Sequence, residues 1–217
     1  MVNLINHILK IMKKYQKSTI ISTTSNGKFK PTDPLPDLTV SKLGSLFIIS
    51  DDCEGQEIIF KSFAFGKKIN NIFILSPYEV MFLKQIQCNM NLKENETQLW
   101  KHCCSFFGPS IFPIHYAIYH FFRCRYWVVR DGSIFGAIFV LYIDHPDQVH
   151  SKYTVSLIND WDQVTEIAPS ITRVDWAIRK SRILVKVNVP TDSNFDDPSC
   201  ISNFTIEAIC VKRIKVS

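Results

Sequence analysis

The chain has 217 residues, a net charge of +5, and 46% hydrophobic against 21% charged residues. This balance is typical of a folded globular protein and excludes wholesale disorder. The mild positive charge permits a polyanionic partner without demonstrating one. No apolar run reaches the roughly 18–20 residues of a membrane helix. The seven cysteines form no CxxC pair, so neither zinc-site spacing nor a disulfide framework is indicated.

Residues 1–95 are predicted to form an N-terminal mixed α/β region. It opens with a basic amphipathic stretch over residues 4–17, for which a surface helix, a partner-binding helix and a weak targeting segment all remain open. A proline-rich linker follows over residues 23–37. Strands are then predicted over residues 46–50, 58–64 and 72–75.

Three helices are predicted from their starting residues. The sequence SPYE at 76–79 has the pattern of a capping box with proline at the first helical position, which predicts a helix to about residue 88. The sequence NETQ at 95–98 opens a second helix. A third follows Pro113, because apolar residues recur at helical spacing over residues 114–121.

Residues 96–217 are predicted to form a compact α/β domain with a mixed central sheet. Strands are predicted over residues 126–129, 137–142, 153–157, 182–189 and 204–212. Helical stretches are predicted over residues 162–168 and 170–178, with Pro169 forcing a break between them. Residues 190–203 contain two prolines and three aspartates and are predicted to be a solvated loop.

Three side chains of this second part have the chemistry for RNA cleavage by the RNA's own 2′-hydroxyl. Tyr142 ends the most apolar predicted strand, His150 precedes the next strand, and Lys180 stands between a helix and a strand. Such cleavage needs a base, an acid and a cation that stabilises the charge on the phosphate. Packing, surface polarity and the helix dipole are the commoner reasons for these residue types. The residue types alone therefore do not decide the function.

Six sequence blocks together resemble the catalytic domain of the tRNA-splicing endonuclease family. They are YAIYHFFR at 116–123, WVV at 127–129, FGAIFVLY at 135–142, HSKYTV at 150–155, TRV at 172–174 and IRK at 178–180. Their order, spacing and flanking hydrophobicity agree with that family's signature over about residues 97–189.

This resemblance implies an endonuclease-like α/β domain whose catalytic residues are Tyr142, His150 and Lys180. Tyr142 would be the general base, His150 the general acid, and Lys180 the cation that stabilises the transition state. The products would be a 2′,3′-cyclic phosphate and a 5′-hydroxyl. The resemblance implies no cofactor and no metal.

The resemblance also implies partners. Eukaryotic enzymes of this family are heterotetramers of two catalytic and two structural subunits, so precursor tRNA, other endonuclease subunits and a nuclear location are expected. The sequence at 75–82, Leu99-Trp100 and the sequence at 197–200 look most like the subunit that cuts the 5′ splice site. The alternatives are the sister subunit that cuts the 3′ site and a non-catalytic structural or RNA-binding subunit.

The chain departs from the family pattern at several positions. In the 5′-cutting subunit an arginine and a C-terminal tryptophan grip RNA by cation–π contact. Arg173 matches the arginine, whereas Ile214 stands at the tryptophan position and cannot present a π face. Tyr126 stands where the family usually has glycine, and Phe135 where it often has tyrosine.

The remaining polar candidates are a basic run and a histidine–cysteine pair. Arg179 and Arg182 lie beside Lys180, so they are predicted to contact RNA phosphates. The resemblance implies that Arg173 also binds RNA. His120 and Cys124 have the i, i+4 spacing of ligands on one helix face. Two ligands do not make a metal site, and none is predicted.

Overall fold

The computed structural model describes residues 27–29, 34–51, 53–164 and 178–211. They fall into two compact units: the first holds residues of 34–116 and 194–202, and the second holds residues of 27–29, 117–193 and 203–211. The boundary predicted near residue 95 lies inside the first unit and remains a prediction. The predicted helix over 4–17, most of the predicted helices over 162–178, Arg173 and Ile214 lie outside the described residues. No helix within the described ranges is long and apolar enough to cross a membrane.

The first unit contains a four-stranded antiparallel sheet. Its strands are β1 (Val40–Leu43), β2 (Leu46–Ile49), β3 (Lys67–Ile69) and β4 (Ile72–Leu75). They lie in the order β1-β2-β4-β3. The predictions of β2 and β4 are confirmed. The sequence did not predict β1 and β3 because each has only three or four residues, most of them exposed.

Helix α1 (Gly55–Lys61) replaces the strand predicted over residues 58–64, and that prediction is wrong. Within this helix the buried side chains are Gln56 and Ile59. Their spacing of three residues is that of a helix face, not of a strand. A run of β-branched and aromatic residues gave the segment the composition of a strand.

Three longer helices follow, each close to its predicted place. They are α2 (Pro77–Gln85), α3 (Glu96–Phe107) and α4 (Ile111–Arg123). The predicted capping box of Ser76 with Glu79 is confirmed, and Asn95 forms a second capping box with Gln98. Helix α2 ends before residue 88 because the backbone turns away, and Gln87 adopts a left-handed conformation with φ 62°.

The segment over residues 190–203 is not simply a solvated loop. It ends in a 3₁₀ turn (Pro198–Asn203) whose Pro198, Cys200 and Ile201 side chains are buried. The indole Nε1 of Trp100 in α3 donates a 2.7 Å hydrogen bond to the carbonyl oxygen of Phe195. The amino-acid composition of residues 190–203 did not predict this contact, because the segment has few apolar residues and three aspartates.

The second unit contains a five-stranded mixed sheet. Its strands are β5 (Val128–Asp131), β6 (Phe139–Tyr142), β7 (Tyr153–Leu157), β8 (Ser181–Asn188) and β9 (Thr205–Val211). They lie in sequence order, and every neighbouring pair is antiparallel except β7 and β8, which are parallel. All five strands were predicted, and the α/β fold class with a mixed central sheet is confirmed.

Candidate active site

The register of three neighbouring strands aligns the ends that carry the predicted catalytic residues. Tyr153 at the start of β7 pairs with Leu141 in β6 and with Ser181 at the start of β8. Strand β6 ends here, whereas β7 and β8 begin here. The carboxyl end of β6 and the amino ends of β7 and β8 therefore meet at one end of the sheet, which we call the site end.

Tyr142 and Lys180 lie at the site end, on the two strands that flank β7. Tyr142 is the last residue of β6, and Lys180 is the residue before β8. By the usual spacing of strands their backbones are separated by roughly 10 Å, a distance that two long side chains can bridge around a phosphate. Both side chains are partly exposed, so solvent and substrate can reach them.

A turn returns the chain from Tyr142 to His150. The carbonyl oxygen of His145 accepts hydrogen bonds from the backbone N–H groups of Gln148 at 2.9 Å and Val149 at 3.2 Å. His145 itself is buried. This fastened turn brings His150, which is exposed, back to the beginning of β7. Strands β6 and β7 are antiparallel neighbours.

Lys180 is held directly beside the backbone of His150. Its Nζ donates a 3.1 Å hydrogen bond to the carbonyl oxygen of Ser151, the residue after His150. The same Nζ lies 5.1 Å from the centre of the Phe135 ring. Partial burial lowers the pKa of Lys180 below its ordinary value, since desolvation disfavours the charged form. The ammonium of Lys180 is therefore held in position and partly removed from water. Both properties favour electrostatic stabilisation of a transition state.

A piece of the predicted linker also reaches this region. The backbone N–H of Lys28 donates to the carbonyl oxygen of Ile143, the residue after Tyr142, at 3.0 Å. The N–H groups of Gly27 and Phe29 donate to the residues at 125 and 126. Sequence reasoning assigned this segment to a linker and missed the attachment, because backbone hydrogen bonds to a loop leave no mark in side-chain pattern.

The backbone at Tyr126 accounts for the glycine that the family usually has there. Tyr126 adopts φ 64°, in the left-handed region that glycine enters without steric cost. A tyrosine at this position is strained, yet it precedes Trp127, whose indole is buried against the ring of Tyr153 at 5.4 Å between centroids. This chain therefore forms the turn with a tyrosine, although glycine would adopt the same backbone conformation without steric cost.

The three predicted RNA-binding arginines have different surroundings. Arg179 is exposed and has a left-handed backbone with φ 54° next to Lys180. Arg182 is only 3% exposed, and its guanidinium donates to protein groups, including Ser156 Oγ at 2.7 Å and Gly136 O at 3.1 Å. Arg173 lies outside the described residues. The structure thus brings Arg179 to the site end, whereas the guanidinium of Arg182 is directed into the protein.

His120 and Cys124 contact each other. Both are buried in the second unit, with Sγ 3.7 Å from the imidazole nitrogens. Burial, with a smaller effect of Arg125, lowers the pKa of His120 to about 3. Burial raises the pKa of the Cys124 thiol to about 12. Within the described ranges no group of three or more His, Cys, Asp and Glu side chains could hold a metal ion.

The family model for the catalytic C-terminal domain of tRNA intron endonuclease matches residues 112–196, a range that includes Tyr142, His150 and Lys180. The tRNA-splicing endonuclease of Methanopyrus kandleri is 30% identical over 158 residues, which make up 70% of this chain and 84% of that protein. The chain belongs to the tRNA-splicing endonuclease family. The resemblance seen in the sequence blocks is thereby confirmed.

Members of the family from plants are also similar to this chain. The tRNA-splicing endonuclease subunit Sen2-1 of Arabidopsis thaliana is 32% identical over 125 residues, which cover 55% of this chain and 52% of that protein. The probable subunit Sen2 of Oryza sativa subsp. japonica is 27% identical over 179 residues, covering 73% of this chain and 60% of that protein. The chain thus spans between half and two thirds of the plant tRNA-splicing endonuclease subunits that it matches.

Proposed function

We propose that this chain is a catalytic subunit of a tRNA-splicing endonuclease and cuts precursor tRNA at the 5′ exon–intron junction without a metal ion. The observation that carries the proposal is the site end of the sheet. There the register joins the ends of β6, β7 and β8, and the Lys180 ammonium is bonded to the backbone beside His150.

The proposed chemistry is a transesterification that balances without a co-reactant. Tyr142 takes the proton of the 2′-hydroxyl, and the 2′-oxygen attacks the neighbouring phosphorus. The bond from phosphorus to the 5′-oxygen breaks, and His150 gives that oxygen a proton. The products are a 2′,3′-cyclic phosphate on the 5′ exon and a 5′-hydroxyl on the intron. Lys180 stabilises the extra negative charge on the phosphate oxygens in the transition state.

Two features of the described structure support these roles. His150 is exposed, so a leaving oxygen can reach its imidazole. Lys180 is restrained at its Nζ, so little reorganisation is needed as charge develops on the phosphate. Arg179, exposed next to Lys180, supplies a further phosphate contact in this proposal.

The proposed partners are precursor tRNA and other subunits of the same endonuclease. Relatives of this chain in Arabidopsis thaliana and Rattus norvegicus are named as Sen2 subunits of tRNA-splicing endonuclease. We propose that this chain likewise works in a nuclear heterotetramer, with structural subunits and a sister subunit that cuts the 3′ junction.

The test is cleavage of an intron-containing precursor tRNA by the chain assembled with its partner subunits in EDTA. Wild type is compared with His150→Ala. The matched control is His102→Ala, which removes a histidine of the first unit. Products from the 5′ and 3′ junctions are counted separately. We expect His150→Ala to abolish only the 5′ cut and His102→Ala to leave both cuts.

Other outcomes identify the alternatives. Loss of the 3′ cut alone in His150→Ala would assign the chain to the sister role and overturn the 5′ assignment. Normal cutting at both junctions by His150→Ala would make the chain a structural or RNA-binding subunit. Cleavage that stops in EDTA for wild type would contradict the metal-independent chemistry.

A further inference from the structure

A buried arginine fastens the loop between β5 and β6. Arg182 is 3% exposed, and its guanidinium donates to the carbonyl oxygens of Phe135 at 3.3 Å and Gly136 at 3.1 Å. It also donates to Ser156 Oγ at 2.7 Å, which ties the loop to β7. The planar guanidinium presents several donors in a rigid fork, so one side chain fixes two consecutive carbonyls of the loop.

The loop has a defined conformation where the arginine holds it. Residues Ser133–Phe135 form a 3₁₀ turn, and Gly136 follows in the left-handed conformation with φ 60°. Ser133 Oγ donates a 2.5 Å hydrogen bond to Asp131 Oδ2 at the other end of the loop. The turn and its anchors set the direction in which the side chain of Phe135 projects.

The ring of Phe135 reaches the site end. Lys180 Nζ lies 5.1 Å from the centre of that ring, within the range of a cation–π interaction. A lysine ammonium sits on a flexible four-carbon stem. Here it has two contacts that restrain it, one with the Phe135 ring and one with the Ser151 carbonyl oxygen.

We propose that Arg182 and Phe135 are positioning residues for Lys180: the guanidinium fixes the loop, and the loop's aromatic ring holds the ammonium where the transition state needs it. The inference deepens the proposed function and rests on it, because it concerns the orientation of the Lys180 cation during cleavage. Arg182 acts through the protein in this account and does not contact RNA.

The main variant is Phe135→Leu, which removes the π face and keeps an apolar side chain in the loop. Single-turnover cleavage with enzyme in excess is measured together with the dissociation constant for precursor tRNA. We expect the cleavage rate to fall about tenfold, since small misplacements of a catalytic group cost rate rather than binding. The dissociation constant should change less than about twofold, because the ring holds a catalytic group rather than the RNA.

Two further variants give the matched comparisons. Phe135→Tyr keeps the aromatic face and should restore most of the rate lost in Phe135→Leu. Phe106→Leu makes the same change at a phenylalanine that is 52% exposed on α3 and should cut like wild type. A Phe135→Leu enzyme that cuts at the wild-type rate would overturn the proposal.

The link from Arg182 to Lys180 is tested by a double-mutant cycle. Arg182→Lys keeps the positive charge but cannot span the two carbonyls and Ser156 Oγ together. The double variant combines Arg182→Lys with Phe135→Leu. If Arg182 acts through Phe135, its cleavage rate is no lower than that of the slower single variant. Independent, multiplying losses would contradict the coupling. A melting curve shows whether Arg182→Lys still folds, and the Phe135 variants decide the proposal if it does not.

A measurement on the lysine itself separates this inference from the proposed function. In the full chain, competitive acetylation of amines with acetic anhydride compares Lys180 with the exposed Lys152. We expect the reactivity of Lys180 relative to Lys152 to change in Phe135→Leu, because the substitution removes a contact of the Lys180 amine. An unchanged ratio would overturn the positioning role. Wild type that fails to cleave RNA would contradict the proposed function, and the acetylation ratio would still report on the positioning.

Discussion

The Nζ of Lys180 donates a 3.1 Å hydrogen bond to the carbonyl oxygen of Ser151, which joins the start of β8 to the start of β7. Ser151 directly follows His150, so this hydrogen bond places the Lys180 ammonium beside the backbone of the proposed general acid. The strand register supplies the rest of the geometry, because β6 delivers Tyr142 to the same end of the sheet. The register therefore brings residues at the ends of three strands to one end of the sheet.

Tyr142→Phe tests the proposed base with the smallest change. Only the hydroxyl is lost, at the last residue of β6, so the fold and the melting temperature should stay the same. We expect single-turnover cleavage to fall by about 10²–10⁴, the usual contribution of a positioned acid or base. Binding of precursor tRNA should not change. A Tyr142→Phe enzyme with the wild-type cleavage rate would remove Tyr142 from the mechanism.

Arg179→Gln tests the phosphate contact beside the site. Arg179 is exposed, and its loss should weaken binding to precursor tRNA and reduce the slope of log K against log salt by about one. Cleavage at saturating enzyme should be nearly unchanged. Lys101→Gln, at an exposed position on α3, is the control and should leave the slope as it is. Equal slopes for wild type and Arg179→Gln would show that Arg179 does not contact a phosphate.

His120 predicts how the stability of the chain depends on pH. Burial, with a smaller effect of Arg125, lowers the pKa of His120 from 6.5 to about 3. The unfolded chain takes up this proton near pH 6.5 and the folded chain does not, so acid favours unfolding. The contribution of His120 to stability is fully present above about pH 6.5 and is lost as the pH falls toward 3.

The variant His120→Leu should flatten this dependence. Between pH 7 and pH 5 the wild-type free energy of unfolding should fall by about 2 kcal/mol more than that of the variant, from the size of the shift. Urea titrations at the two pH values measure the difference. The same fall in both proteins would mean that His120 titrates in the folded chain much as it does in the unfolded chain.

Trp100→Phe tests the attachment of the segment after β8. Trp100 is fully buried, and its Nε1 donates to the carbonyl oxygen of Phe195 at 2.7 Å. Phenylalanine leaves that carbonyl without this donor, which should cost about 1–3 kcal/mol of unfolding free energy in urea titrations. Faster amide exchange around residue 195 should accompany the loss. Exchange and stability like wild type would show that the bond is not formed in solution.

The sequence predicted the strands of the second unit well for a physical reason. Strand β7 has strong apolar and β-branched content between polar loops, and its bounds match the predicted 153–157. Once β6 and β7 are neighbours, the short loop must bring His150 back toward Tyr142. The placement of these residues at one end of the sheet therefore follows from local pattern, whereas their catalytic roles remain a proposal.

The direction of Arg182 could not be read from the same pattern. In the sequence it belongs to a basic run with Arg179 and Lys180, which is typical of a surface that binds phosphate. In the structure β8 lies between β7 and β9, and four consecutive residues, 182–185, are buried. A strand buried on both faces loses the alternation that separates inward from outward side chains. Only the three-dimensional contacts show that this arginine holds a loop.

The most direct measurement uses a precursor tRNA with a single 2′-deoxynucleotide at the 5′ junction, incubated in EDTA with the chain and its partner subunits. Attack by the 2′-oxygen predicts no cut at that junction, a normal cut at the 3′ junction, and a 2′,3′-cyclic phosphate on the 5′ exon of the unmodified substrate. Cleavage of the deoxy-substituted junction would contradict the account.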